Sequence, residues 1–165
     1  MSRFPRLRAG RLLAAILRRR RHQVAALCWR PETEGIRLLL LTSRETRRWV
    51  IPKGWPQPGL DAAGTAREEA WEEGGVRLDG DGRHLGSYTY DKRLRGASLP
   101  VEVEVFAFRV TGMEDDFPEA GQRERVWVTP AEAARRVQEP SLSRLLTEAG
   151  DRLAGSADAA REVRG

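Results

Sequence analysis

Four glutamates in a six-residue run, Glu68, Glu69, Glu72 and Glu73, are the most chemically suggestive feature of this 165-residue chain. Placed on a helix at about 100° per residue, Ala62, Ala63, Ala66 and Ala70 share one side. Glu73 falls in the middle of that apolar arc. Glu69 falls near its edge and Glu72 a step beyond Glu69, while Arg67 and Glu68 point towards water. A carboxylate turned inward is costly unless paired. Carboxylates three and four positions apart also raise one another's pKa. Arginine is one partner that neutralises them, and a divalent cation is another. One cysteine (Cys28) and two histidines (His22, His84) exclude a disulfide framework, a Cys-based zinc site and a His-rich metal site. Oxygen donors alone point to Mg²⁺, with Mn²⁺ as substitute, ions that keep several waters and usually share a phosphate with the substrate. An ordinary solvated Glu-rich helix face is the bland alternative.

The preceding loop strengthens the cation reading. Pro52-Lys53-Gly54 stands at a strand end, followed by Pro56, Pro58 and Gly59. Glycine there lets backbone carbonyls approach a metal, and Lys53 can meet a phosphate as a point charge.

These groups need elements to hold them. The pattern predicts strands over 23–29, 36–42 and 49–51, with a turn at 31–35 and Pro52 as a stop. Asp61 caps a helix running to about Glu73, ended by Gly74-Gly75. Further strands are expected at 86–90, 101–110 and 125–128, and helices at 131–137 and 141 to about 153. Strands, helix, strands, helix is the signature of an α+β sandwich with a mixed sheet packed between helices.

Hydrophobic residues make up 40% of the chain and charged residues 32%, enough apolar material for a core in one domain. No apolar run is long enough to cross a bilayer, so a cytoplasmic protein without a transmembrane segment is expected. The net charge is +5, and 27 of the 29 basic residues are arginine. Residues 1–31 hold nine of them and no acid. Residues 1–21 read as a basic N-terminal extension, either a solvated tail or an amphipathic helix for anionic lipid, nucleic acid or another subunit. The domain is expected over 22–153, with a frayed C-terminal tail over 154–165.

The segment from Gly54 to Val76 resembles the Nudix box, Gly-x5-Glu-x7-Arg-Glu-U-x-Glu-Glu-x-Gly-U, where U is aliphatic. Gly54 takes the first position and Glu69-Ala70-Trp71-Glu72-Glu73-Gly74-Gly75-Val76 fills the last eight. Two positions depart: Leu60 replaces the first Glu and Glu68 replaces the Arg. The Arg normally orients the neighbouring Glu, and Arg67, about 100° away on the helix, is a poor replacement. The likeness extends from about His22 to Leu146. Pro-Lys-Gly-Trp-Pro, the strand from Ser87 to Arg93 and the 127–132 segment are similar to the branch holding diphosphoinositol polyphosphate and dinucleoside polyphosphate hydrolases.

The resemblance implies a Nudix-like α/β/α sandwich with a curved mixed sheet, and hydrolysis of a pyrophosphate bond in a phosphoanhydride small molecule. It implies Glu69, Glu72, Glu73 and the Lys53 backbone carbonyl as Mg²⁺ ligands. Glu69 and Glu72 are the catalytic candidates, with Glu69 as base or positioning the base. Glu119 and Glu124 are the candidates for a distal base from a later loop. A non-catalytic Nudix scaffold that binds nucleotide, RNA or a protein partner is the alternative. No stable nucleic-acid complex is expected, and a homodimer is left open.

Other residues divide between site and surface. Lys53 and Gly54 are candidate substrate contacts, with Arg48 beside Arg47, and Arg93 beside Lys92 and Arg95; solvated turns are the alternative for the arginines. Gln122-Arg123 stands in the same position. Glu102 and Glu104 alternate with valines, which predicts a half-exposed strand or the floor of a substrate cleft. Trp29, Trp49 and Trp127 read as core, Trp55 as core or site wall, and Trp71 as a cover outside the helix. Cys28 reads as a small buried side chain and His84 as exposed in a Gly/Asp turn.

Overall fold

A computed structural model of the chain describes residues 21–162. The basic extension expected over 1–21 lies outside the described residues except for Arg21, whose carbonyl accepts from Glu102 N–H at 2.9 Å. The elements are β1 (His22–Glu32), β2 (Gly35–Thr42), β3 (Trp49–Val50), β4 (Lys53–Gly54), α1 (Ala62–Gly74), β5 (Val76–Leu94), β6 (Ala97–Met113), β7 (Arg125–Val128), α2 (Pro130–Arg136) and α3 (Pro140–Glu162). They form one mixed sheet in the order β3-β2-β1-β6-β5, with β4 also paired to β1 and β7 to β2. β1 and β6 run parallel and every other pair is antiparallel.

Helices cover both faces of the sheet. Val24, Ala26, Cys28, Leu39 and Leu41 face α1 through Ala66 and Ala70. Ala25, Leu27, Leu38, Leu40, Val103 and Val105 face the other layer, through Ala133 of α2 and Leu142 and Leu146 of α3. β1 and β2 are therefore buried on both sides, which is why their sequences run continuously apolar instead of alternating. The α+β sandwich expected from the sequence is present. Among the described residues no helix is long and apolar enough to cross a membrane.

α1 is set by its own ends. Asp61 in extended conformation accepts a hydrogen bond from Gly64 N–H at 2.7 Å. Gly75 closes the helix in the left-handed region (φ 64°) and its N–H reaches the Trp71 carbonyl at 2.9 Å.

Four features differ from the sequence expectation. Pro31 is in β1, paired with Ile36, and the turn is the Thr33-Glu34 pair. Beyond Trp29, β1 has lost β6 as a neighbour, so a residue without N–H fits at that edge. β5 starts at Val76, ten residues early, because the Gly-Asp-Gly run that reads as a turn is instead a series of register shifts between Arg77 and Gly86. His84 is consequently on a strand. Two-residue β4, invisible to periodicity, pairs Gly54 with Val24 and Lys53 with Ala25. Finally α3 continues past residue 154 to Glu162, where a frayed tail was expected. Leu142, Leu146, Ala149, Leu153 and Ala157 form a buried stripe at helical spacing, and alanine is too weak a signal to reveal its last turn.

Candidate active site

α1 lies across the sheet with its carboxylates against β4. Glu73 is 8% exposed and ranks with the core. Its Oε2 accepts a hydrogen bond from the Lys53 backbone N–H at 3.4 Å, and its Oε1 stands 3.2 Å from Arg123 Nη2. Glu69 packs so tightly on Gly54 that a Cβ there would stand 2.1 Å from its carboxyl carbon. A side chain there would have to push the Glu69 carboxylate aside. Gln57 Nε2 donates to Glu69 Oε1 at 3.2 Å, and Gln57 N–H donates to buried Thr65 at 3.2 Å, which ties the Gly/Pro loop to α1.

The electrostatics follow from the burial. Burial raises the Glu73 pKa to about 7, against the opposing pull of Arg123 and Lys53. Glu69 is raised by burial, then by Glu72 and Glu119, while the Gln57 hydrogen bond opposes. Glu72 is raised by burial and by Glu68 and Glu119. Burial lowers the Lys53 pKa, with Glu73 opposing, and its ammonium lies 5.2 Å from the Tyr90 ring. The sequence expectation that Glu73 faces inward with Glu69 beside it holds in the structure. Among the described residues no three His, Cys, Asp or Glu side chains converge into a ready-made cage. The donor set is nonetheless oxygen throughout, and Glu72 is the least buried of its three box carboxylates. That suits an ion that retains waters and shares its remaining positions with a phosphate.

The family model of the NUDIX domain matches residues 19–148. The chain belongs to the NUDIX family. It is similar to diphosphoinositol polyphosphate phosphohydrolase 3-beta of Bos taurus and of Homo sapiens, each 30% identical over 118 residues, or 70% of this chain and 68% of theirs. Its fold is similar to that of a C. elegans Ap4A hydrolase, with a TM-score of 0.59 at 19% identity over 81% of this chain and 98% of that one. A NUDIX hydrolase from Nitrosomonas europaea gives 0.58 at 17% identity over 78% and 86%. The chain is accordingly a hydrolase of the pyrophosphohydrolase class, built on the Nudix α/β/α sandwich.

Within this Nudix hydrolase the departures from the box acquire a structural answer. Arg67 does not point to water: its guanidinium reaches the Leu78 carbonyl at 2.8 Å and the Gly80 carbonyl, over the Phe108 ring. The cation beside the carboxylates is Arg123, from the loop between β6 and β7. It bridges Glu73 at 3.2 Å and Glu119 at 3.6 Å, and donates to the Thr42 carbonyl. Its side chain is 8% exposed and its Nε has no protein partner. The sequence reads Arg123 as a phosphate contact or part of a solvated turn; the arginine missing at position 68 is the one signal that another takes its place.

The same loop separates two carboxylates that the sequence left equivalent. Glu119 N–H donates to the Glu72 carbonyl at 3.0 Å, and its charge raises the pKa of Glu69, Glu72 and Glu73. Glu124 turns outward, 66% exposed and 3.8 Å from Arg47. Arg48 is held by Glu139 and Gln138, each at 3.2 Å. Arg93 is exposed near the end of β5. Trp29, Trp49 and Trp127 pack in the cores as expected, and Trp71 lies outside the helix under Arg77. Cys28 is fully buried, its thiol pushed up to about 12.

Proposed function

We propose that this Nudix hydrolase is Mg²⁺-dependent and cleaves a phosphoanhydride bond in a nucleoside-diphosphate-linked or diphosphoinositol-polyphosphate-type small molecule. One observation carries the reading: Glu69 and Glu73 are packed against the β4 backbone, and burial raises the pKa of both despite Arg123 and Lys53 beside Glu73. Glu69, Glu72 and Glu73, with the Lys53 carbonyl, are the groups that would hold the ion. When bound, such an ion withdraws charge from bridging phosphates and lowers the pKa of water in its shell.

The chain's own residues supply the rest. Glu69 is the base, or positions it, because its raised pKa brings proton affinity closer to neutral pH. The Gln57 hydrogen bond keeps that carboxylate aimed, and Gly54 leaves it room. Arg123 holds Glu73 and Glu119 together, so the loop carrying Glu119 stays over the C-terminal end of α1. Glu119, not Glu124, is the distal carboxylate that reaches this site. An attacking water deprotonated at this point would meet phosphorus roughly in line with the leaving phosphate.

The test is phosphate release from diadenosine tetraphosphate and from a diphosphoinositol polyphosphate, with Mg²⁺ or EDTA. Turnover that needs Mg²⁺ and is lost in Glu72→Gln and Glu73→Gln is the expected result. Turnover in EDTA, or variants indistinguishable from the parent, would overturn it.

A further inference from the structure

Among the described residues Arg123 is the least exposed of the ion-paired arginines, at 8% against 60%, 51% and 32% for its neighbours Arg44, Arg47 and Arg48. A guanidinium carries five N–H donors and does not shed its charge. Among the described residues this one makes a single hydrogen bond, from Nη1 to the Thr42 carbonyl at 3.2 Å, and its Nε is buried without a partner. Its Nη2 stands between two carboxylates, 3.2 Å from Glu73 Oε1 and 3.6 Å from Glu119 Oε1. Arg123 is therefore placed by charge more than by hydrogen bonding. A buried charge is costly unless opposite charge compensates it, and the glutamates do so here. They need a cation in turn. Glu73 is buried, Glu69 lies against Gly54, and position 68, where the box has its arginine, holds a further glutamate whose charge bears on Glu72.

We infer that Arg123 is the internal counter-ion of the glutamate cluster in the ion-free protein and gives up Glu73 when a divalent cation binds, so that guanidinium and ion serve the cluster in exchange. The inference rests on the hydrolase reading above and concerns how its ion is admitted. A guanidinium and a dication on one carboxylate repel each other across a few ångströms of protein. Removing Arg123 therefore tightens ion binding, even though it takes away a neighbour of Glu73. An arginine at position 68 would ride on α1 together with the carboxylates. Arg123 stands on the loop between β6 and β7, which has its own backbone tie from Glu119 N–H to the Glu72 carbonyl at 3.0 Å. The guanidinium can leave Glu73 without opening that tie, and it keeps Glu119 and the Thr42 carbonyl as partners. Lys53 is the weaker competitor. It meets Glu73 through its backbone N–H, and its ammonium lies 5.2 Å from the Tyr90 ring. Arg123 is in this account a positioning residue that sets the state of Glu73 before the ion arrives.

Two measurements on the full chain test the exchange. In the first, free Mn²⁺ is followed by electron paramagnetic resonance in the parent, in the neutral variants Arg123→Gln and Arg123→Met, and in Arg123→Lys. Binding about 10-fold tighter is expected in both neutral variants, the effect of removing one nearby like charge. Arg123→Lys keeps the charge and should bind as the parent does. Equal or weaker binding in the neutral variants overturns the inference, because a residue that only props Glu73 in place loses affinity when it is removed; so does equal tightening in Arg123→Lys. The second measurement is thermal unfolding in EDTA and in excess Mg²⁺. Arg123→Gln should melt below the parent in EDTA and gain more from Mg²⁺, since a tighter ligand stabilises the folded state further. Equal gains, or neutral variants that stay unfolded in Mg²⁺, overturn the exchange. A parent that binds no Mn²⁺ removes the hydrolase reading along with it, whereas Mn²⁺ binding with unchanged affinity in Arg123→Gln removes the exchange alone.

Discussion

Two glutamates on two helices, each facing arginine, have opposite fates. Glu132 on α2 is gripped by Arg135 and Arg136 at the surface, and those hydrogen bonds lower its pKa. Glu73 on α1 has Arg123 at 3.2 Å and is nevertheless raised to about 7. The difference is burial. At the surface, water already solvates the carboxylate and arginine adds to it. Under the Gly/Pro loop, lost hydration outweighs one guanidinium, which is the condition that makes a site receptive to a further cation. Counting arginines near an acid therefore says little about what the acid does.

The sharpest way to break this contrast is turnover. Glu73→Gln should reduce kcat on the order of 100-fold or more, as for loss of a group that acts on the reacting centre, whereas Glu132→Gln should leave steady-state rates unchanged. Gly54→Ala should approach the same loss, because its Cβ would displace the Glu69 carboxylate, and a shift of about 1 Å at a reacting group costs on the order of 100-fold. Its circular-dichroism spectrum should stay that of the parent.

The pH dependence of stability sharpens the comparison further. Glu73 in the folded protein has a pKa of about 7 against an ordinary 4.5, so the folded state holds that proton more tightly than the unfolded chain. Its contribution is fully present below pH 4.5 and is lost as pH rises through about 7, by up to roughly 3 kcal/mol. Glu132 has the opposite sign: its contribution is present at neutral pH and lost as pH falls through its lowered pKa. Urea unfolding in EDTA between pH 4.5 and 8 should therefore show a downward slope that Glu73→Gln flattens and Glu132→Gln leaves in place.

A smaller effect is expected at the end of α1. Gly75→Ala would put a side chain in the left-handed region 2.4 Å from the Phe117 ring, and should destabilise the fold by about 1–3 kcal/mol in thermal or urea unfolding.

Much of α1 was legible in the sequence because its determinants are local. The Asp61 cap, the alanine stripe, the Gly75 stop and the inward placement of Glu73 all follow from neighbours within one or two turns. The parts that escaped depend on distant chain. β4 exists because Val24 and Ala25 offer it a partner, and the early start of β5 depends on pairing with β6 that tolerates register shifts. Arg123 and Glu119 reach the site only because their loop folds back over α1, tied by Glu119 N–H to the Glu72 carbonyl and by Arg125 to the Gly74 carbonyl. No periodicity encodes that approach, so Glu119 and Glu124 could not be distinguished until the fold separated them.

The most direct test of the central claim is a Mn²⁺ titration of the whole protein at pH 8, with free ion followed by electron paramagnetic resonance. The account predicts a bound ion whose affinity falls at least about 10-fold in Glu69→Gln and in Glu73→Gln and is unchanged in Glu132→Gln. Equal affinity in all four proteins would contradict it.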